Sequence, residues 1–244
     1  MPPDFSSLTY WTHRFTSVEP PTGFEWLSPP SSLYALFVSH LNHPASEPRV
    51  LHIGSGTSSL SNELRSWVEE KGLEAGRVVN VDYSDVAVEW GRAREVETFG
   101  SEQGQEHKER MGWAVVDLLS ASSVQGLLSK EEEDNNHDLF TLIIEKSTSD
   151  ALSCGPLIAP DNTEPLLVLA RNLALVSAPG AVWLAMSYSL MRFDESVLGG
   201  WWEIEEVVRV PVEDKEDAAV GRPIVEHGIW VLRRTRKVVA RDIE

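Results

Sequence analysis

From Arg49 onward the chain alternates short apolar runs with longer amphipathic stretches. Residues 49–54 (RVLHIG), 77–82 (RVVNVD) and 139–146 (LFTLIIEK) are almost continuously aliphatic, the pattern of strands buried on both faces. GWAVVDLL at 112–119 and APGAVWLAMSYS at 178–189 add two more. Between them, residues 58–72, 84–97, 123–128 and 164–176 carry apolar side chains at helical spacing, the first stretch closed by Gly72. Polar loops are expected at 99–110, 129–138 and 213–222, the last joining two closing strands at 202–212 and 225–237. Strands that alternate with helices predict an α/β fold: a doubly wound, mostly parallel seven-stranded sheet with helices on both faces and a terminal antiparallel hairpin. The first 48 residues, rich in Pro and aromatics, read as an extension ahead of the domain at 49–244, the whole forming one structural domain. No internal repeat interrupts this order.

Composition narrows the function classes. The 244 residues are 42% hydrophobic, enough for one buried core. No run of eighteen apolar residues predicts a membrane span, and the opening MPPDFSSLTYW lacks the basic and apolar regions of a secretory signal. The single cysteine, Cys154, excludes an intrachain disulfide and a multi-cysteine metal site, and a reducing cytoplasmic or nuclear setting is expected. The histidines at 13, 40, 43, 107, 137 and 227 show no metal-ligand spacing and read as surface or packing residues, so no metal is expected. Twenty-one basic against 38 acidic residues give a net charge of −17, which opposes nucleic-acid binding and suits either a basic protein partner or simple solubility.

The chemistry begins at VLHIGSGTSSLS, residues 50–61, where a strand runs into Gly54-Ser-Gly56 and a helix opens. In doubly wound sheets ligands lie beyond the carboxyl ends of the strands, and glycine there lets the backbone approach a ligand. Asp82 ends the next strand, where a carboxylate can accept from both ribose hydroxyls. A dinucleotide fingerprint wants a third glycine where Ser59 stands, and no Gly-Lys-Ser/Thr P-loop is present. The ligand reads as a nucleoside without a pyrophosphate. Asp117, after the third strand, is placed to accept from an exocyclic adenine amine, with Leu118 near the ring.

These residues resemble the class I S-adenosylmethionine-dependent methyltransferases, with their Rossmann-like sheet. More narrowly, YWTHRF (10–15), FEWL (24–27), VVNVDYSDVAVEW and LIIEKSTSDAL are similar to a group that includes the elongation factor 1A lysine methyltransferases. The resemblance implies cofactor contacts at Trp11, Phe15, Trp26, Gly54, Gly56, Asp82, Tyr83, Asp117, Leu118 and Lys146. It places Glu145 and Lys146 nearest the reacting methyl group. The chain departs from the group at His52, where an acidic or apolar residue is common, at Ser55 for Cys, and at Ser147 for Gly.

A lysine acceptor must lose a proton, and Glu145 is the expected catalytic residue, to orient the amine or receive that proton; the alternative makes it a helix cap. Lys146 either binds the cofactor's carboxylate or pairs with Glu145. Trp11, Phe15, Phe24 and Trp26 are expected to cover the cofactor, and Trp201 and Trp202 either wall the acceptor channel or anchor strand six. The expected function is methyl transfer to a lysine of a basic protein such as a translation elongation factor. A small-molecule or protein amino-terminal acceptor, or a cofactor-binding scaffold without turnover, are the alternatives. The absence of an Asn/Asp-Pro-Pro-Tyr segment argues against amino methylation of bases or glutamine, and the missing third glycine against a nicotinamide enzyme.

Overall fold

The computed structural model describes residues 3–17, 23–41, 47–100, 110–128, 139–212 and 225–239. Seven strands form one sheet: β1 (Val50–Ile53), β2 (Val78–Asp82), β3 (Gly112–Val115), β4 (Phe140–Lys146), β5 (Ser177–Ser187), β6 (Trp202–Pro211) and β7 (Glu226–Arg234). Their order is β3-β2-β1-β4-β5-β7-β6. The first five run parallel, and β7 lies antiparallel between β5 and β6. The doubly wound sheet and its closing hairpin are therefore as the sequence predicts. Chain order reverses between β1 and β4, and a crevice opens there at the strands' carboxyl ends.

Besides two short 3-10 helices at Pro30–Leu33 and Ala75–Arg77, the described residues form eight α-helices: α1 (Leu8–Thr16), α2 (Tyr34–His40), α3 (Leu60–Glu70), α4 (Asp85–Phe99), α5 (Ala121–Gln125), α6 (Thr148–Leu152), α7 (Pro165–Leu175) and α8 (Glu195–Leu198). Side chains alternate along each strand, so two cores form on opposite faces. Leu51, Ile53 and Ile143 pack with Leu169 and Leu173 of α7, while Val50, Leu142 and Ile144 pack with Leu60 and Leu64 of α3.

Three differences from the sequence reading have local causes. Strand three stops at Val115 rather than running to Leu119, because the Asp117 carboxylate accepts from the Leu119 N–H at 2.9 Å and turns the chain. The amino-terminal extension contains two helices that Pro and aromatic residues concealed. Its second half is core: Leu33, Phe37 and Leu41 are buried against the α3 face of the sheet. Trp202 anchors β6, its indole N–H donating to the Ala170 carbonyl at 2.8 Å and its ring set edge-on to Trp183. The loops expected at 129–138 and 213–222, and most of that at 99–110, lie outside the described residues, as do His43, His107 and His137. Among the described residues no helix is long and apolar enough to cross a membrane, and no cluster of His, Cys, Asp or Glu could hold a metal.

A cofactor-sized cavity at the β1–β4 crevice

The carboxyl ends of β1, β2 and β4 form the floor of a cavity of about 410 Å³. All ten residues expected to touch a cofactor line it: Trp11, Phe15, Trp26, Gly54, Gly56, Asp82, Tyr83, Asp117, Leu118 and Lys146. Glu145 does not, and neither do Trp201 and Trp202.

The glycine turn is built by contact. Gly54 has φ 59°, and a Cβ there would lie 2.0 Å from Thr148 Oγ1, whose hydroxyl donates to the Ile53 carbonyl at 3.1 Å. Only a residue without a side chain admits the start of α6 this close to β1. Gly56 has φ 51°, and its N–H donates to Asp82 Oδ2 at 2.9 Å while the Ser84 N–H donates to Oδ1 at 2.9 Å. Asp82 thus holds the turn as well as facing the cavity. Burial raises its carboxyl from 3.8 to about 6, against the lowering effect of these N–H groups.

His52 lines the cavity from β1. Its Nδ1 lies 2.9 Å from Asn80 Oδ1 and 3.1 Å from Ser61 Oγ. The Asn80 amide nitrogen donates to the Gly112 carbonyl at 3.5 Å and to Met111 Sδ, which fixes its oxygen toward the ring. His52 therefore carries its hydrogen on Nδ1, and burial lowers its pKa to about 4, so it contributes a neutral ring.

The amino-terminal segment roofs the site. Ser7 caps α1, accepting from the Tyr10 N–H, and the helix presents Trp11 and Phe15 stacked at 5.5 Å. Trp26 packs edge-on to Trp11 at 6.0 Å, to Phe24 at 5.6 Å and to Phe5 at 5.5 Å. The segment is fixed to the floor by the Phe24 N–H, which donates to the Thr57 carbonyl at 3.2 Å, and by Glu25. Glu25 accepts from the Ser59 N–H at 2.5 Å and the Ser58 hydroxyl at 2.8 Å, and it pairs with Lys146. Burial works against the Glu25 charge, yet these partners hold its carboxyl below the ordinary range. The sequence reading missed Glu25; its position between two roof aromatics was the only signal.

Lys146 pairs with Glu25 and not with Glu145, because neighbouring residues of a strand point to opposite faces. Glu145 shares the parity of Ile143 and turns under the sheet, fully buried. Its Oε2 accepts from the Ser149 N–H at 2.7 Å at the start of α6, and its Oε1 has no partner among the described residues. The helix-capping alternative fits this placement, and an acceptor-orienting contact inside the cavity does not. The next turn is braced by Asp150, which accepts from Ser187 Oγ at 2.6 Å and the Tyr188 N–H at 2.9 Å and pairs with Arg192 at 2.6 Å.

The chain is 32% identical over 237 residues to methyltransferase srdJ of Neurospora crassa, an alignment covering 97% of this chain and 87% of that protein. No family model matches the chain. Among solved structures it resembles the N-methyltransferase NodS of Bradyrhizobium japonicum in complex with S-adenosyl-L-homocysteine, with a TM-score of 0.56 at 13% identity, covering 91% of this chain and 96% of that one. A protein solved in work on the conversion of a disulfide bond into a thioacetal group during echinomycin biosynthesis superposes with a TM-score of 0.62 at 15% identity, covering 95% and 94% of the two chains. Below 25% identity those likenesses concern the fold, while the Neurospora relative carries the family. With its strand order and glycine turn, the chain belongs to the class I S-adenosylmethionine-dependent methyltransferases.

Proposed function

We propose that this chain transfers the methyl group of S-adenosylmethionine to a lysine side chain of a basic protein. The observation that carries the methyl-transfer part is the convergence of ten expected contact residues on one cavity. The donor set suits the cofactor. Asp82 would accept from the ribose hydroxyls, Asp117 and Leu118 would receive the adenine, and Lys146 would face the amino-acid end. The hydroxyls of Ser55 and Ser147, two residues of the cavity lining, are buried and find no partner among the described residues. S-adenosylmethionine supplies an electrophilic methyl on a positive sulfur. The chain's own part is to hold donor and acceptor in line and to keep water out, which the roof of Phe5, Trp11, Phe15, Phe24 and Trp26 serves.

The lysine acceptor is supported by the resemblance of YWTHRF and EKSTSDAL to the elongation-factor methyltransferases and by the charge of −17, which attracts a basic surface. A second reading, a small apolar acceptor, is favoured by a different observation. Leu8, Ala151 and Leu152 give the cavity an apolar flank, and Glu145 is withdrawn from it, so no carboxylate of β4 awaits an ammonium group. Incubating the protein with radiolabelled S-adenosylmethionine and separate protein and metabolite fractions of an extract decides between them. Label on a protein lysine supports the first reading, label confined to small molecules moves the assignment to the second, and label on neither overturns both.

A further inference from the structure

The roof is tied down on both sides of Trp26. Ahead of it, the Phe24 N–H donates to the Thr57 carbonyl and Glu25 pairs with Lys146. Behind it, Ser28 is buried and makes two contacts of its own. Its carbonyl accepts from Lys146 Nζ at 3.4 Å, and its hydroxyl lies 2.9 Å from His227 Nδ1. His227, which the sequence offers only as a surface or packing residue, is thus buried and paired across 199 positions. Lys146 of β4 is in register with Met186 of β5, and Ser187 of β5 with Gly228 of β7. Lys146 and His227 therefore stand at the same end of the sheet with the end of β5 between them, and Ser28 bridges the two. Among the described residues none of β5, β6 or β7 lines the cavity, so His227 acts on the site through Ser28 and not by touching the ligand.

Leu27, the joint between Trp26 and Ser28, has φ 62°. This left-handed region is uncommon for any residue but glycine, and for a bulky side chain it is strained. Such strain persists only where neighbouring contacts hold it. Here Trp26 sits in the cavity wall, Ser28 is held by His227, and the Leu27 side chain packs against the core on the α3 face. Loss of the Ser28 anchor frees the joint to relax and Trp26 to leave the cavity. Resting on the cofactor assignment above, we propose that His227 is a positioning residue. Through Ser28 it holds Trp26 down on the cofactor, and Leu27 is the strained joint at which the roof lifts when the cofactor enters or the product leaves. The buried bond opposes opening and the strained joint favours it, so their balance sets how fast the product is released.

Stopped-flow displacement of bound S-adenosylhomocysteine, followed by recovery of tryptophan fluorescence, tests this without any acceptor. Ser28→Ala and His227→Ala should each release the ligand about 3- to 10-fold faster than wild type, the range expected for one lost hydrogen bond. The double variant should be no faster than the singles, since both remove the same bond. His227→Asn, whose amide can meet the Ser28 hydroxyl, should return the rate toward wild type. At the joint, Leu27→Ala and Leu27→Gly both truncate the side chain, but only glycine is at ease at positive φ. Release from the glycine variant should be about 3- to 10-fold slower than from the alanine variant. Wild-type rates in Ser28→Ala and His227→Ala, whatever their thermal midpoints, would make the pair purely structural and overturn the proposal. Multiplying effects in the double variant, or faster release from Leu27→Gly than from Leu27→Ala, would overturn it as well. Failure of wild type to bind S-adenosylmethionine or S-adenosylhomocysteine would instead remove the cofactor assignment, and the proposal with it.

Discussion

Glu25 of the roof and Lys146 at the end of β4 form an ion pair that joins the amino-terminal segment to the floor of the cavity. Lys146 is 4% exposed at its side chain and Glu25 34%, so the pair lies at the boundary between interior and solvent. Burial disfavours the Lys146 charge, and Glu25 opposes that effect. The same carboxylate meets the Ser59 N–H at the start of α3, where the helix dipole also favours a negative group.

Removing Glu25 should therefore act on the roof more than on the sheet. Glu25→Ala is expected to weaken cofactor binding about 10-fold, while its far-ultraviolet dichroism stays that of wild type. In a double-mutant cycle with Lys146→Ala, the coupling should reach about 1 kcal/mol or more, above the usual value for exposed pairs. A coupling near zero in binding and stability alike would mean that the pair does not hold the roof.

The aromatics give a second test of the same arrangement. Deleting residues 1–28 removes Phe5, Trp11, Phe15, Phe24 and Trp26 but leaves Leu33 and Phe37 in the core. The truncated protein should fold, bind S-adenosylmethionine at least 10-fold more weakly, and lose most tryptophan quenching on cofactor addition. Undiminished affinity and quenching would assign these rings to packing.

Much of this site was legible in the sequence because its signals were local. A GxG turn after an aliphatic strand, an Asp ending the next strand and an aromatic opening need only short spacings to be read. Glu145 was misplaced although the information was present: alternation along LFTLIIEK puts Glu145 on the opposite face from Lys146. The Glu25–Lys146 pair was not legible, since its partners are separated by 121 positions and meet only when the roof closes. The short helices α6 and α8 were also missed, being too brief for periodicity to show. For α8 the one local signal is its Asp194 cap, which accepts from the Ser196 and Val197 N–H groups.

Asp82 should make binding and stability respond to pH in opposite directions. Its folded-state pKa, about 6, lies above the ordinary 3.8, so its contribution to stability is present below the lower value and is lost as pH rises through 6. A carboxylate that accepts from ribose hydroxyls must be ionised, so cofactor affinity should fall as pH drops below 6. Titrations between pH 5 and 8 should show that loss, and Asp82→Asn should abolish the pH dependence. Asp82→Ala should reduce affinity by about 2–4 kcal/mol. Because Asp82 also receives the Gly56 and Ser84 N–H groups, the alanine variant should be less stable as well. An affinity flat across this range in the wild type would place the ribose elsewhere.

Glu145 offers the sharpest separation between a catalytic and a structural carboxyl group. Burial, opposed by Ser149, raises its pKa from 4.5 to about 8, so at neutral pH it is largely protonated and poorly suited to take a proton from an amine. The folded form binds this proton more tightly than the unfolded form. Its stabilising contribution is complete below 4.5 and declines as pH rises through 8. Within that window the group contributes a slope of up to about 1.4 kcal/mol per pH unit. Glu145→Gln keeps an oxygen to accept from the Ser149 N–H and removes the titration, so urea denaturation between pH 5 and 9 should show a flatter profile and a gain in stability at the alkaline end. Turnover by the variant, on whichever acceptor the labelling experiment identifies, should remain within about 3-fold of wild type. A general base would instead cost on the order of 100- to 10,000-fold. A loss of that size in a variant whose pH–stability profile is flattened as expected would return Glu145 to the reacting amine and require the start of α6 to open during the reaction.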